Sequence, residues 1–190
     1  MKLVLASGSP RRKELLEMLG LEFEICPAKG EEKTEEGLSP REIVTALASA
    51  KAKEVAAKYP EDTAVIAADT IVWADEQMLG KPRNEADAVR MLELLSGKTH
   101  SVFTGICVAF GGEMLTCAEE TGVCFRKLGR DEIEAYVSTG EPMDKAGAYG
   151  IQGLAGIFVR ELRGDYFNVV GLPICALTEL LRSFGLRILE

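Results

Sequence analysis

Residues 2–20 read KLVLASGSPRRKELLEMLG, and the order of residue types in this stretch decides the fold class. Leu3 to Ala6 is a short apolar run, far below the length of a membrane span and suited to a buried strand. Ser9 before Pro10 reads as an N-cap followed by the first helical position, because proline gives up an N–H that the first turn leaves unpaired anyway. Leu15, Leu16, Met18 and Leu19 supply the apolar side of the helix, and Gly20 ends it as a C′ residue. The unit is strand, small-residue turn, helix. In a plain β-turn-α element, Arg11 and Arg12 would simply be solvated. Their position suggests more, since a cation at a helix N-terminus opposes the dipole by about 0.3–1 kcal/mol. Beside backbone N–H groups and the hydroxyls of Ser7 and Ser9, the two arginines make an anion site, and phosphate is the expected anion.

Working outward, helical periodicity recurs near residues 40–58, 85–95, 131–138 and 174–184. Strand-like apolar runs recur near 64–74, 101–110, 121–126, 157–162 and 167–170. FGGEM (110–114) between two of those runs is a hairpin signal. Mixed helices and strands, with hairpins among them, predict an α/β fold on a mixed sheet. No repeat or Pro/Gly linker divides the 190 residues, so a single domain over 1–190, with or without two lobes, is expected. With 47% apolar and 27% charged residues the composition is that of a globular chain and excludes disorder. A net charge of −8 and no basic cluster longer than PRRK exclude non-specific nucleic-acid binding, which needs many phosphate contacts. A polyphosphate ligand would need a local basic pocket. The five cysteines are odd in number and lack C-x-x-C spacing, so reduced, mostly buried thiols of a cytoplasmic protein are expected. The apolar run after Met1-Lys2 is too short for a signal peptide, and no membrane association is expected.

Candidate functional residues stand out where polar side chains interrupt apolar patterns. LSPREIV (38–44) opens a helix: Ser39 and Glu42 form a capping box, with Leu38 and Ile43 placed as a hydrophobic staple. At about 100° per residue, Ile43, Val44, Leu47, Ala48 and Val55 share one face. Lys51 falls in the middle of that arc and Lys53 points away, while Glu54 sits near one edge and leaves the stripe imperfect. Lys51 either snorkels from an apolar face or reaches an anion. Lys53 reads as solvated. AVIAADTIVW (64–73) is a strand with Asp69 in its interior, where a carboxylate is costly unless paired, protonated or bound to a metal. A hydrogen bond to a neighbouring turn would also satisfy it. MLGKPRN (78–84) places Lys81 in a tight turn soon afterwards. Glu31 and Glu32 lie in a polar loop, where simple solvation is the plain reading. DKAGAYGIQGLAG (144–156) spaces Gly147, Gly150, Gly153 and Gly156 by threes, which matches no named phosphate motif and suits either a flat ligand or a tortuous loop. Gln152 is the one side-chain amide there. His100, the only histidine, reads as structural. These residues suggest metal-assisted chemistry on a phosphorylated compound.

In their order and spacing the segments resemble the Maf family, nucleotide pyrophosphatases also described as septum-formation inhibitors. LASGSPRRKELL looks like its N-terminal signature, AADTIV its catalytic strand and GKPRN its lysine turn. LSGKTHSVFTG, DKAGAYGIQG and VVGLPI look like its later motifs. The resemblance runs nearly end to end. It implies an elongated mixed β-sheet flanked by helices, with two lobes around a central cleft, as in inosine-triphosphatase-like proteins. It also implies hydrolysis of nucleoside triphosphates to the monophosphate and pyrophosphate with Mg²⁺ or Mn²⁺, a housecleaning role in the nucleotide pool. By the same resemblance Asp69 is the catalytic acid, while Ser7, Arg12, Lys51 and Lys81 handle phosphate. The loop carboxylate matches Glu32, or Glu31 if the loosest part of the match slips by one. Asp69 and Glu32 are the implied metal ligands. Arg11, Thr70 and Gln152 look like the branch that hydrolyses dTTP and UTP. A sister branch acting on methylated guanine nucleotides has an aromatic, a glutamine and a glutamate at those positions.

The implied chemistry suits these residues. Attack at an α-phosphorus needs the triphosphate charge neutralised, which Arg12, Lys51 and Lys81 can do. Whether Asp69 serves as base, metal ligand or both stays open at this level. Nucleoside triphosphates are the expected partners, and the sequence leaves a homodimer open. Two other functions fit parts of the pattern. A nucleotidyltransferase shares a glycine-rich turn and arginine with LASGSPRR but needs a phosphorylated acceptor. A non-catalytic nucleotide-binding regulator of cell division would bind without turnover.

Overall fold

In a computed structural model describing residues 2–30 and 37–189, the chain is a mixed α/β protein with a seven-stranded sheet flanked by helices. The strands are β1 (Lys2–Leu5), β2 (Glu24–Ile25), β3 (Thr63–Ala74), β4 (Gln77–Leu79), β5 (Thr99–Phe110), β6 (Glu113–Phe125) and β7 (Val159–Arg163). The helices are α1 (Pro10–Met18), α2 (Pro40–Ala56), α3 (Glu85–Leu95), α4 (Arg130–Val137), α5 (Tyr166–Val170) and α6 (Ile174–Ser183). The sheet order is β2-β1-β3-β5-β6-β7, with β4 paired to β3. Strands β2, β1 and β3 are parallel neighbours, while β4 on β3 and β7 on β6 are antiparallel. No helix among the described residues is long and apolar enough to cross a membrane.

The chain divides into two compact units, one of Met1–Asp69, Thr104–Glu119 and Gly171–Glu190, the other of Thr70–Phe103 and Glu120–Val170. The first holds the parallel strands. Val4 and Ala6, Val65 and Ala67, and Cys107 and Ala109 recur at every second position of their segments and pack with Ala48, Ala52 and Val55 of α2. These small side chains let α2 lie close to the sheet. At Gly105 a Cβ would fall 2.3 Å from the Val44 carbonyl oxygen, so helix backbone occupies that space. In the second unit, Val72, Leu92, Leu95, Val123, Phe125, Ile133 and Phe158 belong to a larger core.

Local signals account for most of the ends. Ser9 and Pro10 take the N-cap and first helical positions of α1, although the Ser9 side chain makes no capping bond. Gly20, at φ 71°, donates to Glu17 O while Leu21 N donates to Leu16 O, the paired bonds of a Schellman stop. Ser39 and Glu42 close their capping box on α2. Gly111 and Gly112, at φ 60° and 79°, turn β5 into β6 as FGGEM predicts.

Other expectations need correction. Residues 167–170 form helix α5, not a strand. Asp165 accepts from the Phe167 N–H (2.7 Å) and starts the helix, and Asn168 donates to Val102 O and Thr121 Oγ1 (2.9 Å each), so capping and tertiary bonds override the β-propensity of this run. The last strand begins at Val159, because Leu154–Phe158 forms a 3₁₀ segment. Strands β2 and β4 went unread. Asp75 and Glu76, both at positive φ, make a tight turn without the glycine or asparagine that normally announces it. Met18 is 57% exposed and leaves the apolar side of α1 to Leu15, Leu16 and the half-buried Leu19. All five cysteines are free thiols, but only Cys107 is buried; Cys175 is exposed and the other three are half-buried.

Candidate active site

The first unit brings two pairs of candidate residues to the carboxyl end of β1: Ser7 and Arg12 follow that strand, and Lys51 meets Asp69 where β3 runs on past it. Strand β1 registers against β3 with Leu5 opposite Ile66, and the Ala6 N–H donates to Ile66 O (2.8 Å). The turn after β1 therefore leaves the sheet on the same side as the segment of β3 that carries Asp69. This is where open α/β sheets place their ligands. Ser7 is buried, and its Oγ accepts from Arg12 Nη1 (3.1 Å) and from the Ser9 N–H (3.2 Å). Arg12 Nε donates to the Gly171 carbonyl (2.8 Å). The guanidinium is thus held by two fixed acceptors before any anion arrives, which reduces the ordering cost of binding one.

Asp69 is buried on β3 and shares the face of Val65 and Ala67, four and two positions earlier. That face meets α2, so the lysine centred on the buried arc of the helix arrives at the carboxylate. Lys51 Nζ donates to Asp69 Oδ1, with side-chain exposures of only 20% and 10%. Lys53, two residues on, is exposed. Arg11 and Thr70 are half-buried, and Thr70 follows Asp69 on the opposite face of the strand. Glu32 and Glu31 lie outside the described residues.

Glu54 explains the imperfect stripe of α2. Its carboxylate accepts from the Lys29 N–H (3.0 Å), the Gly30 N–H (2.8 Å) and Lys58 Nζ (2.9 Å). These donors, the Lys29 amide first, hold its pKa down at about 2. One helix therefore places a cation on Asp69 and an anion on the backbone of Lys29 and Gly30.

In the second unit Lys81 and Gln152 are both exposed. Their segments are joined by a backbone bond from the Gly147 N–H to Gly80 O (3.0 Å). Gly147, at φ 68°, packs on Val72, where a Cβ would lie 2.8 Å from a methyl carbon. A Cβ at Gly150, Gly153 or Gly156 would likewise meet atoms of the chain itself at 2.7, 2.2 and 2.8 Å. The spacing by threes thus belongs to a tightly folded loop. His100 is structural, as its position suggests: it is buried, its Nε2 hydrogen-bonds Tyr149 Oη (2.8 Å), and its ring meets Phe125 and Tyr149 edge-on. Burial alone pushes its pKa down to about 4.

Comparison with known proteins shows the family. The sequence model of the family described as Maf-like protein matches residues 2–184. The chain belongs to the Maf-like family. Two curated relatives, both named dTTP/UTP pyrophosphatase, come from Bacillus cereus and Bacillus thuringiensis subsp. konkukian. Each is 50% identical over 187 residues, covering 98% of this chain and 97% of the relative. Among solved structures, the Staphylococcus aureus Ham1 protein superposes with a TM-score of 0.52 at 15% identity, covering 97% of this chain and 100% of that one. A HAM1 protein from Coxiella burnetii gives 0.52 at 18%, covering 96% and 99%. At these identities the likeness is one of fold.

Within this Maf-like chain, three contributions lie beyond the sequence patterns, and Glu54 alone leaves a trace in one. The Gly171 carbonyl that holds Arg12 is a backbone atom 159 positions away. Glu54 looked like a flaw in a helical stripe. Glu141, whose carboxylate meets Tyr136 Oη and the Leu154 N–H (3.1 Å each), sits in a short polar turn that resembles any solvated loop.

Proposed function

We propose that this chain hydrolyses dTTP and UTP to the nucleoside monophosphate and pyrophosphate, water attacking the α-phosphorus. The observation that carries the reading is the pairing of Ser7 with Arg12 just after β1 and of Lys51 with Asp69 where β3 runs on past the end of β1. The printed names of relatives with half their residues identical over almost the whole chain support it.

Arg12 and Lys51, with Lys81, neutralise charge that grows on the pyrophosphate as it leaves, the kind of fixed electrostatic help that contributes most to such reactions. Ser7 holds the Arg12 guanidinium in the orientation that phosphate oxygens need. Asp69 aligns the attacking water. The donor chemistry also suits a divalent cation: Asp69 offers a hard carboxylate oxygen that already holds the Lys51 ammonium, and Mg²⁺ commonly binds through one or two carboxylates plus substrate phosphates. Asp69 and Glu32 would hold Mg²⁺ or Mn²⁺, which when bound supplies charge neutralisation and an acidified water. On triphosphate binding, Lys51 exchanges its carboxylate partner for a phosphate oxygen.

Gln152 accounts for base choice, with Arg11 and Thr70 completing the recognition. Uracil and thymine present an N3–H donor beside the O4 acceptor, and one carboxamide pairs with both. Cytosine reverses the pattern, so a Gln152 held in one orientation penalises it by about 1–3 kcal/mol. The corresponding role is clearing pyrimidine triphosphates from the cytoplasmic nucleotide pool.

The test is a panel of dTTP, UTP, CTP and GTP with Mg²⁺ or Mn²⁺ and water as the sole acceptor, products resolved by chromatography. Monophosphate and pyrophosphate from dTTP and UTP are expected. Turnover only with an added phosphorylated acceptor would identify a transferase, and binding without turnover a regulator.

A further inference from the structure

Gln152 can discriminate between bases only if its amide is held in one orientation, and its own side chain is exposed. What the structure holds in place is the backbone that carries it. The Gly153 N–H donates to Gly150 O (3.1 Å), so residues 150–153 form a four-residue turn with Gln152 at its third position. Both ends of this turn touch side chains of one short stretch, residues 141–145. At the far end, Glu141 accepts from the Leu154 N–H (3.1 Å) and lies so flat on the turn that a Gly153 Cβ would come within 2.2 Å of Oε1. At the near end, the Lys145 side chain runs beneath Gly150, where a Cβ would meet its Cε at 2.7 Å.

The clamp is itself braced. Lys145 Nζ donates to the Glu141 carbonyl (2.6 Å) and to Asp144 Oδ1 (2.7 Å), and its side chain is only 15% exposed. Tyr136 Oη donates to Glu141 Oε1 (3.1 Å), tying the carboxylate to a buried side chain of α4. The two Glu141 oxygens are thus divided between an anchor in the core and the peptide that follows Gln152.

The geometry points to Glu141 as a positioning residue for base selection: by gripping the Gly153–Leu154 backbone it fixes the orientation of Gln152, and Lys145 holds the other end of the turn. This rests on the base-reading role given to Gln152 above. The conservative partner is Glu141→Gln, which keeps the length and one carbonyl acceptor. The disruptive variants are Glu141→Ala and Gly153→Ala. Gly153 has φ −98°, a conformation any residue adopts, so an added methyl pushes the carboxylate away without straining the backbone.

The experiment measures kcat/KM for UTP and CTP in each variant, with thermal unfolding to establish that the protein is folded. Glu141→Ala and Gly153→Ala should each reduce the UTP-to-CTP ratio at least tenfold, chiefly through loss on UTP, and Glu141→Gln should retain most of it. A purely structural role would lower both substrates equally and leave the ratio alone. If either disruptive variant fails to fold, the other carries the test. A wild-type ratio in a folded disruptive variant, while Gln152→Glu does shift the ratio, overturns this inference and leaves the base-reading role standing. If Gln152→Glu itself leaves the UTP preference unchanged, the base-reading role falls and this inference falls with it.

Discussion

Asp69 and Lys51 pair inside the first unit, where each offsets the charge that the other brings into a largely buried place. Breaking a fully buried pair costs about 3–5 kcal/mol when the survivor stays desolvated. Lys51 keeps 20% side-chain exposure and can turn to water, so Asp69→Asn should remain folded by circular dichroism. Its turnover of UTP should nevertheless fall by at least ~100-fold, the usual scale for losing one group preorganised toward the transition state. A near-normal rate would show that Asp69 is structural. Removing divalent metal with excess chelator should stop turnover as completely, and full activity there would refute the metal role. Lys51→Ala should raise the KM for UTP, lower kcat, or both, whereas Lys53→Ala on the outer face should match wild type in steady-state assays. Asp69, Lys51 and Arg12 were legible because each breaks a local pattern: a charge inside an apolar strand, a lysine on a buried arc, cations at the wrong end of a helix dipole. Glu141 breaks no such pattern, and Glu54 disturbs one only at the edge of the α2 stripe. They sit where carboxylates are unremarked, and only their distant backbone partners give them roles.

Among the elements, α2 places the most chemistry, and its distance from the sheet is set by side chains smaller than usual. Gly105 is the tightest point. Its replacement by alanine would put a methyl 2.3–2.7 Å from helix backbone atoms, which cannot rotate aside as a side chain can. Gly105→Ala should therefore cost about 3 kcal/mol, the upper part of the usual overpacking range. A lowered urea midpoint with unchanged m-value would show it. The activity should suffer beyond the loss of folded protein, since a displaced α2 withdraws Lys51 from Asp69. An unchanged midpoint would mean that the helix can shift freely. The start of α2 was readable, its capping box needing only residues three apart. Strand β2 was not: two residues carry no periodicity, and they are a strand only because Val4 and Leu5 lie beside them.

For the molecule as a whole, His100 links stability to pH. Its folded pKa of about 4 lies below the ordinary 6.5 because burial disfavours the imidazolium. The unfolded chain takes up a proton near pH 6.5 that the folded chain refuses until about pH 4. The contribution is therefore fully present above pH 6.5, is lost as pH falls from 6.5 to 4, and changes no further below that. Its size is roughly 3 kcal/mol. Carboxylates held low, Glu54 and Asp87 among them, lose their contributions as pH falls below the ordinary carboxylate range, so they overlap only the acid end of this window. Denaturant midpoints measured from pH 4 to 7 should show a steeper fall in wild type than in His100→Gln. Parallel curves would show that the imidazole titrates normally.

Neighbours a few residues apart account for what is legible in the chain before it folds. The α/β class, the ends of α1 and α2, the glycine turn between β5 and β6, and the charges at Arg12, Lys51 and Asp69 all follow from spacings within one turn or one pleat. Those interactions are made in any conformation that brings the local segment together. It takes long-range contacts to make residues 167–170 helical rather than extended, to hold Arg12 on Gly171, and to clamp the Gln152 turn with Glu141 and Lys145. In each of these a hydrogen bond or close contact joins segments well separated along the chain or facing one another across a loop. Its energy exists only once the chain is folded, so no local pattern of residue types records it.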